Sequence, residues 1–486
     1  MATWIIITTI LCYLGILFWV AYLSGRKASN TGFFIGNRQS NWVLVTIAMV
    51  GAAMSGVTFV SVPGMVNGQS FSYFQMALGF LVGQFIVAFV LIPLFYRMKL
   101  VSIYEYLEHR LGMSAYKTGA WFFFISKLLG ASVRIFLVCL VLQFLVFDVY
   151  NIPFILNCTL VIALVFLYTF SGGVKSLIWT DSLKTLCLIA SIVLCLVYVA
   201  NGIGQSFKET LSEIWNSESS QIFFFEDGRD TRYFFKQFIA GIFTLIAMTG
   251  LDQDLMQRNM SCKNSSDAKK NIIISSIIQT GIIFLFLVLG AVLYMYAAKT
   301  GFELPQGGDK MFPAIATSSS MPVIVGIFFV LGLISSTFSA AGSAMTALTT
   351  SFTIDILGAK AENTEQLTQK RKRVHLFMAF AMIITIYALY KFNNTSIINA
   401  VYTLASYTYG PILGMFAFGI LTKFQVRGKW IGCVAILSPI LCFVLQQNSE
   451  KWMGGYKFSY ELLIVNALIT FLGMCLMIKK SKKEKI

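Results

Sequence analysis

The chain has 486 residues, 57% hydrophobic and 12% charged, with a formal charge of +16 and 44 phenylalanines. That much apolar surface excludes a soluble globular fold. Charge confined to loops between apolar runs is not evidence for nucleic acid, and nine scattered cysteines with two histidines, His109 and His375, predict neither a disulfide framework nor a zinc site.

Apolar runs of roughly 20 residues, matched to a ~30 Å hydrocarbon core, recur from end to end. They predict an all-α polytopic membrane protein of about thirteen transmembrane helices. The first run, residues 3–23, has no basic lead and no small-residue cleavage site, so it reads as a retained helix and not a signal peptide. Twelve more follow at roughly 41–62, 74–97, 119–147, 152–171, 180–200, 234–255, 272–297, 321–352, 375–391, 396–422, 430–446 and 459–478. Loops after the odd-numbered spans hold 25 basic residues and those after the even-numbered spans nine. By the positive-inside rule the amino terminus lies outside and the carboxyl terminus inside. The long external loop containing "FKETLSEIWNSESS" is amphipathic enough to predict a short surface helix. The short tail after the last span gives no sign of an output domain.

Two spans are diluted by residues that break helices. The second holds "VGAAMSGVTFVSVPG" and the seventh "LIAMTGLDQD". They open two five-helix blocks, spans 2–6 (41–200) and 7–11 (234–422), and five being odd, the second block is inverted. Around them stand an extra first helix (1–30), two extra helices (430–478) and a basic cytoplasmic tail (479–486). The whole chain, 1–486, is then one transporter domain. For either stretch alone, close helix packing by small residues is the competing reading; the shared register favours discontinuous helices.

Arg134, in "GASVRIFLVCL", falls mid-span, where a cation costs at least ~2.5–3.5 kcal/mol. It is expected to face a cavity and to meet an anion, from the protein or from a solute whose carboxylate suits the guanidinium fork. Between 332 and 344 the ninth span reads "GLISSTFSAAGSA". A hard cation such as sodium prefers oxygen ligands, and Ser335, Ser336 and Ser339, spaced i, i+1, i+4, present hydroxyls to two adjacent points. Serines that satisfy themselves on their own helix backbone are the alternative, preferred for Thr337 and Ser343. Tyr73, Phe74 and Gln75 either line or gate an outer mouth or simply pack.

"GAAMSGVTFVSVP", "SIYEYLEHRLG", "SGGVKSLIWTDSLK", "LDQDLMQRNMS" and "LISSTFSAAGSAMTALTTSFTIDIL" together resemble the sodium/solute symporter family with its five-plus-five inverted-repeat fold. The resemblance is nearest to the bacterial sialic acid symporters and the iodide, vitamin and monocarboxylate branch. It implies a sodium site of backbone carbonyls at Gly51, Met54 and Gly332 with the hydroxyls of Ser335 and Ser336. A second sodium site is implied at Asp181, Ser335, the Phe338 carbonyl and Ser339. Position alone favours a solvated aspartate capping the sixth span, and Ser335 with Ser339 brings the ion-site reading level with it. Ser55, Thr58 and Arg134 match substrate contacts of the sialic acid group. Ala53 and Ala77 depart from that pattern, where a hydroxyl and a glutamine are expected. Leu245 and Met248 depart from the sugar branch, where an asparagine and a tyrosine are expected.

These readings converge on a sodium-coupled symporter that imports a small anionic solute, sialic-acid-like or another carboxylate, by alternating access, with one or two sodium ions as coupling ions and no other cofactor. It would work as a monomer in the lipid bilayer of a bacterial inner membrane. Coupling to protons through Asp181, or transport of a neutral sugar, amino acid or vitamin, is the rival. No nucleophile–base pair, metal motif or cofactor loop points to an enzyme.

Overall fold

Backbone polar groups that leave water must bond within their own segment, so long apolar runs become helices. The computed structural model describes residues 2–25, 40–100, 102–170, 173–359, 364–392 and 397–479. Among them, extended structure is limited to two isolated bridges, Ser40 with Cys262 and Val426 with Ile478.

The helices in chain order are α1 (Thr3–Gly25), α2 (Trp42–Ala53), α3 (Gly56–Gln69), α4 (Tyr73–Arg97), α5 (Glu105–Leu111) and α6 (Met113–Tyr150). There follow α7 (Phe154–Thr169), α8 (Gly173–Gly202), α9 (Phe207–Trp215), α10 (Phe234–Gly250), α11 (Gln253–Asn259) and α12 (Ser265–Thr300). The last six are α13 (Gly308–Ala316), α14 (Val323–Ile356), α15 (Thr364–Phe392), α16 (Ile397–Leu421), α17 (Ile431–Trp452) and α18 (Leu462–Cys475). Among the described residues nine helices are long and apolar enough to cross a membrane, or eleven when each of two bent pairs counts as one span. Every expected span overlaps one of these helices, but α7 and α18, at 16 and 14 residues, fall short of spanning length. The basic tail from residue 480 onward and the end of the expected 1–30 segment lie outside the described residues.

The two bent pairs are the two stretches diluted by glycine and polar residues. α2 and α3 meet at 55°, and α10 and α11 at 72°. α10 ends in a π-turn over Ile246–Gly250, a wider coil that already weakens the helix before it breaks. The external loop contains the expected surface helix, α9, closed by a capping box of Ser206 and Glu209.

α8 packs along α14 and α2, α10 along α4, and α16 along α18 and α6. The core divides near the level of the breaks. Val45, Ala48 and Met49 of α2 join one apolar cluster with α5, while Met54, Val57 and Phe59 join the other. Phe59 fixes α3 by ring contacts with Phe286, Phe312 and Phe329 at 5.8, 5.2 and 5.8 Å. Gly64 and Gly308 bring α3 and α13 into backbone contact, since a Cβ on Gly64 would lie 2.3 Å from the Gly308 carbonyl oxygen.

Candidate substrate and sodium site

At the first break Met54 and Ser55 are extended, and Ser55 caps α3 by accepting from the Thr58 amide. The helix ladder stops there. The carbonyls of Gly51, Ala52, Ala53 and Met54 therefore receive no backbone donor among the described residues. At the second break Asp252 caps α11 by accepting from the amides of Asp254 and Leu255. Both breaks open onto one cavity of about 150 Å³, walled also by α6, α14 and α16.

The members of the first proposed sodium set are all buried: Gly51, Met54, Gly332, Ser335 and Ser336. Gly51 lies against α8, where a Cβ would meet Thr185 Oγ1 at 2.3 Å and the Asp181 carbonyl at 2.7 Å. Gly332 lies against Phe59 and Ser191, and Ser336 sits beside Gly56 at the start of α3. Ser335 donates to the Gly332 carbonyl at 3.2 Å and Ser336 to the Leu333 carbonyl at 2.9 Å. A hydroxyl that donates its proton keeps its lone pairs, so these bonds leave both oxygens able to face a cation. Thr337 bonds the Leu333 carbonyl at 2.8 Å, as expected. Ser343 does not satisfy itself on its own helix; it donates to Asp254 Oδ1 at 3.0 Å.

For the second proposed set, α8 starts eight residues before Asp181, and Asp181 is fully buried. It is therefore not a solvated helix cap. Its Oδ2 pairs with Arg258 Nη1, and the Phe338 carbonyl accepts the Tyr168 hydroxyl. The Ser339 side chain lies outside the described residues. Arg258, counted above among loop cations, is 1% exposed, because α11 folds back into the bundle; without it the loop asymmetry still holds.

Of the proposed substrate contacts, Ser55, Thr58, Tyr73 and Arg134 line the cavity. Gln75 does not. It is buried, donates to the carbonyls of Ser72 and Arg232, and accepts from the Phe224 amide, so it fastens the loop of residues 203–233 to the start of α4. Phe74 packs on Phe284. Tyr73 bonds Tyr402 hydroxyl to hydroxyl at 2.6 Å, and Tyr402 packs on Tyr460 at 4.7 Å. Tyr73 also lines a second cavity of about 860 Å³ that Thr231 of the 203–233 loop borders, so its side chain is shared by the two cavities.

The sequence alone gave no role to an ionic chain that reaches the cavity wall at Lys127, Asp252 and Asp254. Lys127 holds Asp252 at 3.1 Å and Asp254 at 2.9 Å. Tyr409 donates to Asp252 at 2.7 Å, and Arg258 links Asp254, at 3.4 Å, to Asp181. The available signals were Lys127 inside a span and the two carboxylates of "LDQD". Arg134, in contrast, borders the cavity with neither an ion pair nor a hydrogen bond among the described residues.

Residues 33–435 match the family described as the sodium:solute symporter family. Sodium-coupled monocarboxylate transporter 2 of Danio rerio is 26% identical over 87% of this chain and 70% of its own. The sodium/sialic acid symporter NanT of Aliivibrio fischeri is 24% identical over 88% and 85%, and the human sodium/iodide cotransporter 23% identical over 90% and 69%. A solved Na+-coupled sialic acid symporter, substrate-bound and outward-open, superposes with a TM-score of 0.83 over 98% of this chain and 99% of its own. At 18% identity that likeness shows a shared fold.

Proposed function

The chain belongs to the sodium:solute symporter family, and on that premise we propose that it imports a small carboxylate-bearing solute together with sodium by alternating access. The observation that carries the carboxylate is Arg134. Lys127 and Arg258 each have carboxylate partners, whereas Arg134 borders the cavity with none among the described residues. A solute carboxylate supplies the counter-charge that makes a buried guanidinium tolerable, and it binds in two parallel hydrogen bonds. Ser55 and Thr58 offer hydroxyls to the rest of the solute. The relatives named above are described as carrying monocarboxylate, sialic acid or iodide, all anions.

In this proposal α7 and α18 also span, giving thirteen helices with an inverted repeat, the amino terminus outside and the carboxyl terminus inside, in a plasma membrane. The protein works as a monomer. Sodium bridges the freed carbonyls of Gly51 and Met54 to Gly332, Ser335 and Ser336, and so holds α14 against the first break. Solute then closes the Tyr73–Tyr402 pair. Separation of Lys127 from Asp252 and Asp254 opens the opposite side, where α14 and the break part and the ion leaves.

Uptake by proteoliposomes tests this across monocarboxylates, sialic acids, amino acids and sugars. The expected result is accumulation of a carboxylate only under an inward sodium gradient. Uptake that follows pH without sodium overturns the coupling ion, equilibration without accumulation overturns active transport, and a neutral sugar as substrate overturns the role of Arg134.

A further inference from the structure

We propose that Asn466 is a positioning residue for transport: it gives α16 the hydrogen-bond donors that Pro411 withholds, and so makes residues 406–411 a hinge on which residues 397–405 carry Tyr402 to and from Tyr73. This deepens the alternating-access reading above and rests on it. Pro411 lies inside α16 and has no N–H, so the carbonyl of Tyr407, four residues back, has no donor in the ladder of its own helix. Asn466, fully buried on α18, places Nδ2 on that carbonyl at 3.0 Å and on the Ser406 carbonyl at 2.9 Å. Both amide hydrogens are thus spent on α16. The Ser438 hydroxyl of α17 donates to Asn466 Oδ1, which fixes the amide in this orientation. Gly410 makes room for it, since a Cβ there would lie 2.4 Å from Asn466 Cγ.

The two sides of this point are held differently. Toward the carboxyl end, Gly414 lies against the α18 backbone, where a Cβ would meet the Ala467 carbonyl at 2.6 Å. Farther along, Arg110 of α5 donates to the carbonyls of Gly419, Thr422 and Phe424. Toward the amino end the bonds are single ones: Tyr402 with Tyr73 at 2.6 Å, Tyr460 to Asn399 at 2.8 Å, and the Ile397 amide to Asp309 at 3.4 Å. A backbone donor four residues on is fixed by the helix itself, whereas a side-chain donor on a neighbouring helix turns about its own torsions and follows a carbonyl as the helix bends. Tyr402, Ala405 and Tyr409 line the first cavity. A bend at residues 406–411 therefore moves Tyr402 relative to Tyr409, which bonds Asp252 at 2.7 Å.

Wild type, P411A, N466A and the double variant, each as the full chain in proteoliposomes, test this by uptake of a solute that the wild type accumulates under a sodium gradient. P411A restores the missing backbone donor and stiffens the hinge. It is expected to melt higher than wild type yet to have a maximal uptake rate about tenfold lower. A stabilised P411A that transports at the wild-type rate overturns the hinge. N466A is expected to melt lower and transport more slowly than wild type, and to lower the melting temperature by less than half as much in the P411A background. Equal losses in both backgrounds would show that Asn466 merely packs α18 on α16, and overturn its role. Should N466A not fold, the P411A rate decides alone: slower supports the inference, unchanged overturns it. A wild type without sodium-driven uptake overturns the transport reading instead, and the melting cycle still decides the pairing of Asn466 with Pro411.

Discussion

Ser336 and Arg134 carry the most specific expectations at the scale of single residues. In the proposed sodium set, removing the Ser336 hydroxyl takes away one of five ligands. S336A is expected to weaken sodium activation of uptake about tenfold, or ~1.4 kcal/mol, with little change in melting temperature; sodium dependence like wild type would remove Ser336 from the site. Arg134 is expected to lose about 10- to 100-fold in solute affinity on truncation to alanine, the worth of a charge-assisted bond at ~1.5–3 kcal/mol. R134K keeps the charge but not the fork, so a smaller loss, read as apparent KM, separates pairing geometry from charge alone. These two residues were legible in the sequence because a hydroxyl cluster and a lone cation stand out against apolar neighbours. Arg258 was not. In "DQDLMQRNMS" it follows an apolar span as loop cations do, and its partner Asp181 is 77 positions away, so its burial depends on how α11 folds back and not on local pattern.

Among the helices, α3 shows how much the breaks depend on close approach. A Cβ on Gly56 would lie 2.8 Å from Thr337 Oγ1 and 3.2 Å from Val138, and one on Gly64 would meet the Gly308 backbone at 2.3 Å. Side chains at the first site can shift; the backbone of α13 at the second cannot. G64A is therefore expected to cost ~1–3 kcal/mol through overpacking, seen as a lowered melting temperature, and G56A less. A G64A protein as stable as wild type would show that α3 and α13 do not hold this contact. The breaks themselves were readable, since Gly51, Gly56, Pro63 and the Thr249–Asp252 stretch thin out otherwise apolar runs. The ends of α8, α14 and α15 were not, because helices extend past the apolar window once neighbouring elements satisfy their polar turns. α8 begins at Gly173, not near residue 180, and this difference decides that Asp181 is interior.

For the molecule as a whole, ion count and solute charge together set what drives it. One sodium moving with one monocarboxylate carries no net charge across the bilayer, so a membrane potential, worth ~2.3 kcal/mol per charge per 100 mV, does no work on the cycle. With one coupled ion, uptake of a monocarboxylate under a fixed sodium gradient is unchanged when a potassium diffusion potential is imposed with valinomycin. A strong increase with inside-negative potential would require a second ion. Composition made the membrane class readable at this scale, whereas the pairing of Tyr73 with Tyr402, 329 positions apart, comes only from the assembled bundle.

Gln75 gives this arrangement a mechanical linkage. Its amide clasps the Arg232 carbonyl and the Phe224 amide two residues from Tyr73, so the 203–233 loop and the tyrosine pair are joined by a lever only a few bonds long. A binder that clamps the 203–233 loop is then expected to hold the tyrosine pair as well, inhibiting transport without entering either cavity, and the Gln75→Ala substitution to uncouple the two and relieve that inhibition.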